Sequence, residues 1–346
     1  MKARGTTIGL RGYGIFVPEA REGAEQIGAR TGLTADAVRN ELGLTSRPVP
    51  RDEDQPVPMA VEAARRALAA AELSPSEVDV VLWTGEEHKD YPAQTASIRV
   101  QEEVGARAAW AFDLIGQGVT SLLGIRVARA LMVGDPTVKT VLLAGGTRNI
   151  DLVDQSAEST RWLVPSSASG TAMVLCRDYG SNVIRGIAGI VDSALADDVY
   201  VPAGGTVHPW SRENLGTSQM FFQSIRPAVV RDYVADTMPR KLVEVVRAAM
   251  AEAGSAGSAP DYLALRHLMP RGRAIVVDAL GLRQDQCDPL EDLGHHGPGD
   301  VVLSLDRGLG RGAIRDGATV ALASAGIGFN YAAAVLRWGP AEAVAR

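Results

Sequence analysis

Residues 118–133 constrain the fold of this chain more than any other stretch. The run GVTSLLGIRVARALMV is apolar almost all around a helix, and such a helix has to be covered on every side. Asp135 and Pro136 end it. Residues 140–145 then form a short apolar strand that runs into Gly145 and Gly146. Upstream, residues 59–71 are a strong helix former, Ser74 to Glu77 make a turn, and residues 78–83 read as a buried strand. Short buried strands alternating with helices mean a layered α/β fold.

The same alternation runs through the rest of the chain. Residues 7–16 are a Gly-punctuated apolar strand, and residues 24–42 carry helical spacing with a cap signal around Thr34. Residues 96–104 form a helix and residues 170–176 a strand. The second half repeats the outline: helix 226–252, strand 262–266, helix 271–280, apolar helix 300–309 and strand 318–325. Residues 140–146 and 319–326 match one another. The stretch from about 191 to 223 is rich in Gly, Pro and Trp and weakly periodic, so it reads as an excursion that forms a cap or tunnel wall. Residues 254–260 read as a flexible loop rather than a linker. A chain of 346 residues suits two domains or a duplicated unit. The expected organisation is one half over 1–180, an excursion over 181–225 and a second half over 226–346.

The net charge is -6, from 35 Lys+Arg against 41 Asp+Glu, and the basic residues form no block. Nucleic acid is therefore not an expected partner. Cys176 and Cys287 are the only cysteines, which excludes a disulfide scaffold and suits a reducing cytoplasm. The first fourteen residues show no apolar leader, and no run is apolar and long enough for a bilayer span. A cytoplasmic location is expected, away from membranes. Gly145-Gly146 and Gly326-Ile327-Gly328 lack the strand–GxGxxG–helix context of a dinucleotide fingerprint.

Four segments, in order, resemble the thiolase superfamily. The segment from Glu41 to Arg47 (ELGLTSR) resembles the x-G-I-x-x-R segment of ketoacyl synthase III proteins. Ala111-Phe112-Asp113 resembles the strand before their nucleophile turn. Asp292 to His295, followed by 300–306, resembles the G-N-x-x-x-A-x-x-x-x-L-D segment. Residues 323–338 resemble the closing Gly-rich strand and hairpin. The chain is thus identified as similar to ketoacyl-ACP synthase III and hydroxymethylglutaryl-CoA synthase. The resemblance implies a duplicated thiolase fold of five layers, α-β-α-β-α. It also implies a CoA or phosphopantetheine thioester as substrate, no permanently bound cofactor, and a homodimer. The apolar strand 140–144 is compatible with such pairing.

The family's nucleophile is a cysteine at the N-terminus of the buried helix, where the helix dipole lowers its pKa. Here it is missing. Anchoring on Thr120-Ser121 puts Gly116 in its place, and anchoring on Asp113 puts Gly118 there; Gln117 lies between them. Neither Cys176, in a strand, nor Cys287, in a polar loop, is expected to substitute. Glu87 resembles the catalytic Glu of the hydroxymethylglutaryl-CoA synthase branch, with Glu86 as the alternative register; the competing reading is a solvated loop carboxylate. His267 resembles the family's histidine at a strand end, with a plain loop histidine as the alternative. His295 stands where synthases often carry Asn, and an imidazole can donate to a thioester oxygen. His296 beside it is expected to face solvent. No third ligand lies near the pair, so no metal site is expected.

These readings imply an acyltransferase or condensing-type enzyme acting on acyl-CoA or acyl-carrier thioesters through Glu87, His267 and His295. The alternative is a supporting thiolase-fold subunit in a heteromer with a thiolase-like partner. A third reading is a ligand-binding protein that kept the tunnel and lost the chemistry.

Overall fold

The structure, a computed structural model, describes residues 6–340. The outer ends of the two expected halves, 1–5 and 341–346, lie outside the described residues, as does the start of the segment searched for a leader. Strand β1 (Ile8–Phe16) enters the core directly. β2 (Arg21–Gly23), α1 (Ala24–Thr31), α2 (Ala35–Asn40) and β3 (Ser46–Pro48) follow, with β3 antiparallel to β2. The single helix expected over 24–42 is two helices. Gly32 sits at φ +71 and ends the first, and the Thr34 hydroxyl accepts the Ala37 N–H to start the second.

Next come α3 (Pro56–Ala70), β4 (Val80–Trp83), α4 (Ala96–Val104), β5 (Trp110–Asp113), α5 (Thr120–Gly134), β6 (Thr140–Thr147), β7 (Ser169–Arg177) and β8 (Ser181–Val191). Residues 181–191, expected within the excursion, form a central strand whose side chains reach the core at Val183, Ile184 and Ile187. The stretch after β8 holds the two-residue strands β9 (Val199–Tyr200) and β10 (Gln223–Ser224). Then follow α6 (Pro227–Asp232), one π-helical turn, α7 (Met238–Glu252), β11 (Tyr262–Leu265), α8 (Pro270–Leu280), α9 (Asp300–Gly310), β12 (Thr319–Gly326) and β13 (Asn330–Pro340).

Nine strands line up as β11-β12-β13-β8-β1-β7-β6-β4-β5 in a mixed sheet with flanking helices. β1 to β7 and β7 to β6 are antiparallel, and β6 to β4 is parallel. The same directions recur as β8 to β13, β13 to β12, and β12 to β11. One residue pair, Gly9 with Val183, joins the two sets.

Strand alternation decides what each helix covers. Val81 and Trp83 of β4 pack with α3 and α4. Val80 and Leu82 face the other way, into a cluster that holds α5, α9 and side chains of both strand sets. Leu263 and Leu265 of β11 pack with α7 and α8. The abundant small residues allow close approach. A Cβ on Gly14 would stand 2.1 Å from the Ala63 carbonyl oxygen of α3, and one on Gly186 would stand 2.3 Å from that of Ala249 of α7. α5 is buried at its start, but Val133 near its end is 58% exposed. Among the described residues no helix is long and apolar enough to cross a membrane.

β6 is hydrogen-bonded on both sides, to β4 and β7. The strand 140–144 therefore has no free edge for a second copy. The edges of the sheet are β11 and β5.

Candidate active site

The parallel strands β11 and β12 end side by side, and ligands in α/β sheets gather at such carboxyl ends. Arg266 follows β11 directly, and its backbone N–H still donates to Ala323 of β12 at 3.1 Å. Its guanidinium then turns inward. Nη1 donates to the Ala325 carbonyl at 2.8 Å, and Nη2 lies 3.0 Å from His295 Nε2. Arginine only donates, so His295 Nε2 is an acceptor and the imidazole proton sits on Nδ1. Nδ1–H donates to Asp300 Oδ2, with Nδ1 and Oδ2 2.5 Å apart.

Asp300 is the first residue of α9 and is fully buried. It also accepts the backbone N–H of His267 at 2.9 Å and of His296 at 2.6 Å. Burial alone would raise its carboxyl, but attraction to His295, His296 and Arg266 outweighs this and holds it at about 2. His295 is held in place by a backbone bridge: its N–H donates to Pro165 and its carbonyl accepts Ser167, both at 2.8 Å. Burial lowers the His295 pKa, so the neutral tautomer prevails. Arg266, His267 and His295 line a cavity of about 330 Å³ whose walls include Trp162, Met238 and Leu268.

The other expected site residues fall around this cluster. His267 lines the cavity, with Nε2 3.3 Å from the Gly43 carbonyl, and burial lowers its pKa to about 4. Glu87 is exposed, whereas Glu86 beside it is 3% exposed. Burial raises the Glu86 carboxyl to about 7, against the pull of Arg266. Glu86 Oε2 has no partner among the described residues, and Oε1 occupies the space a Cβ on Gly297 would need. His296 does not face solvent. It is fully buried, with Nε2 2.9 Å from the Leu293 carbonyl, because its chain must turn inward for α9 to start on Asp300.

The two candidate glycines differ. Gly118 lies flat against β12: an added Cβ would stand 2.3 Å from the Ala325 carbonyl oxygen, the same oxygen that holds Arg266, and Ser324 Oγ donates to the Gly118 carbonyl at 2.6 Å. Gly116 has nothing closer than 3.4 Å. Gln117 between them adopts φ +55, and its carbonyl accepts Thr120 Oγ1 at 2.6 Å. Cys176 and Cys287 are buried away from this cluster, and burial pushes both thiols up, Cys287 to about 11. Such thiols are poor nucleophiles. Among the described residues no group of three His, Cys, Asp or Glu side chains is placed to hold a metal ion.

Sequence reasoning missed Arg266, Asp300 and Trp162. A charged residue directly after four buried apolar ones, Tyr262 to Leu265, was a signal for Arg266. Asp300 had one too, as an acid opening an apolar helix five residues after His295. Nothing in the sequence marks Trp162, which reaches the cavity from a distant 3-10 turn.

The chain is similar to known proteins. Residues 250–338 match the family model described as the C-terminal part of 3-oxoacyl-[acyl-carrier-protein] synthase III. The chain is 24% identical over 342 residues to acetoacetyl CoA synthase NphT7 of Streptomyces sp. (strain CL190), covering 94% of this chain and 97% of the relative. It is 25% identical over 333 residues to the beta-ketoacyl-[acyl-carrier-protein] synthase III of Symbiobacterium thermophilum, covering 96% and 98%. The solved 3-oxoacyl-(acyl carrier protein) synthase III of Pseudomonas aeruginosa PAO1 superposes with a TM-score of 0.82 at 23% identity, over 96% of this chain and 98% of that one. OleA of Xanthomonas campestris, solved with lauric acid and lauroyl-CoA, gives 0.78 at 15% identity, over 96% and 99%. With strand order and near full-length similarity in agreement, the chain has the fold of the solved ketoacyl-acyl-carrier-protein synthase III proteins and is similar to that family over nearly its whole length.

Proposed function

We propose that the protein is an acyltransferase or condensing-type enzyme that works on acyl-CoA or acyl-carrier thioesters without an acyl-enzyme. The observation that carries this reading is the Arg266–His295–Asp300 chain at the floor of the cavity, beside a helix start that presents Gly118 and no thiol. In direct transfer the acceptor's X–H attacks the thioester carbon. The C–X bond forms, the C–S bond breaks, and the proton passes through a base to the departing thiolate. Both substrates are then bound together, since no covalent intermediate splits the step.

The cavity presents the Arg266 guanidinium among largely apolar walls, a charged donor for a polar group of the bound thioester. His295, locked by Asp300, holds Arg266 in place. Glu86 is the better-supported base of the two carboxylates, because a buried group near 7 can both take and release a proton at neutral pH. Gly118 is the better-supported vacated position, since it abuts the carbonyl that anchors Arg266.

The repeated strand directions, with α5 and α9 between the two sets and α3, α4, α7 and α8 outside, support a duplicated five-layer architecture. A dimer of this chain would form at the β5 edge, where Trp110 is 63% exposed and its ring lies tilted against that of Phe112, with centroids 4.7 Å apart.

The test is thiol release from a panel of acyl-CoA thioesters with hydroxyl and amine acceptors, alongside intact-protein mass. Release with no covalent adduct, reduced at least tenfold by His295→Ala, is the expected result. No release with any acceptor would move the reading to a supporting subunit that needs a thiolase-like partner.

A further inference from the structure

Arg266 has no direct anionic partner. A guanidinium carries five N–H donors. Three are engaged, by the Ala325 carbonyl, His295 Nε2 and, at 3.3 Å, the His267 carbonyl. All three acceptors are neutral. The neighbouring carboxylate, Asp300, is turned to His295 and to the backbone N–H groups of His267 and His296. Arg266 is only 8% exposed, and a buried charge normally has a counter-charge in contact. One N–H on each terminal nitrogen is left over, the fork that fits a carboxylate.

Trp162 also lines the cavity, and its indole Nε1 is buried with no partner among the described residues. The imidazole of His267 is neutral, its Nε2–H directed at the Gly43 carbonyl, so it adds no competing charge. Around these groups the walls are largely apolar. The cavity therefore offers a positive charge whose hydrogen-bond partners are all neutral; the carboxylate in its lining, Glu41, is exposed and makes no hydrogen bond or ion pair with Arg266.

Resting on the thioester reading above, we infer that the acyl group this site takes carries a carboxylate, seated on Arg266, and that the carboxylate is kept through the reaction. A transient oxyanion would not need a permanent buried cation with neutral partners; a stable anion does. Loss of CO2 is helped by moving a carboxylate away from stabilising partners, and a guanidinium contact does the reverse by stabilising the ground state. A dicarboxylic acyl group is therefore held whole, with no carbon–carbon bond broken. The 330 Å³ of the cavity is at the small end of ligand sites and suits a compact group.

The experiment compares succinyl-CoA with butyryl-CoA, which replaces the terminal carboxylate by a methyl, by calorimetric titration of the full chain. Succinyl-CoA is expected to bind at least about tenfold more tightly. Arg266→Gln removes that preference, and Trp162→Phe, which keeps the apolar ring, reduces it. Carboxyl-labelled malonyl-CoA is expected to give no labelled CO2. Equal binding of the two thioesters, an undiminished preference in both variants, or release of labelled CO2 overturns this inference and leaves the thioester reading standing. Binding of neither thioester overturns both.

Discussion

Gly118 faces a carbonyl oxygen at a distance no side chain tolerates, and the consequence is measurable. Gly118→Ala forces the Ala325 carbonyl to move and costs about 1–3 kcal/mol. Gly116→Ala has room and changes stability by less than about 1 kcal/mol. Urea unfolding of the two variants separates them, and equal losses would show that Gly118 is not pinned. Gly118→Cys is expected to give no acyl adduct by intact mass, because its own Cβ collides before the thiol can be placed. Glu86 carries a second expectation. Its carboxyl is raised from 4.5 to about 7 by burial, so the folded state prefers the proton. The stability this contributes is fully present below pH 4.5 and is lost as pH rises through 7, by on the order of 3 kcal/mol. Relative to Glu86→Gln, which cannot ionise, the unmodified protein should lose that much between pH 4.5 and 8. Parallel pH–stability curves for the two proteins would refute the burial of this charge.

At the scale of elements, the β2–β3 ribbon clamps the loop that carries His295. Arg47 of β3 is fully buried and pairs with Glu22 of β2 at 2.6 Å. It donates to the carbonyls of Val164 and Ser166, the latter at 2.8 Å, and to Gln155 Oε1 at 3.0 Å. Ser166 in turn is bridged to His295. Glu22 is also paired with Arg30, so Arg47→Met leaves it one of its two cationic partners, strips donors from the Val164 and Ser166 carbonyls, and is expected to cost about 1–3 kcal/mol. Glu22→Leu alone is expected to destabilise as well, because Arg47 then stays buried without its carboxylate; an unchanged urea midpoint in either variant would argue against the pair. The resemblance of residues 41–47 to a family segment pointed to this stretch. Its physical task, fixing the backbone under His295, became visible only with the loop 164–167 in place.

Across the whole molecule, β5 is one of the two edges of the sheet. Trp110, with Tyr91 at 64% and Ile98 at 53% exposed, puts large apolar side chains on or near that edge, and open edges invite pairing. Trp110→Lys is expected to shift sedimentation from dimer toward monomer, and a chain that sediments as a monomer before any substitution would rule the edge out as an interface. The sequence-level expectation pointed to residues 140–144 because they are apolar. Apolarity cannot distinguish a strand buried between neighbours from one awaiting a partner, and β6 is the former.

What the sequence by itself determined follows from local pattern. Period and composition located β1, α4, α7, β12 and the buried start of α5, because a helix or strand has to show one face to the core wherever that core lies. The missing thiol was equally plain, since absence of a residue needs no coordinates. Register and partnership were decided by the tertiary structure. One residue separates Arg266 from His267, and one separates Glu86 from Glu87. In an extended segment that step turns a side chain to the opposite side. Only the packing of β11 on β12, with α9 starting at Asp300, selects Arg266 to reach His295, and only the approach of Gly297 makes room for Glu86 in place of its neighbour.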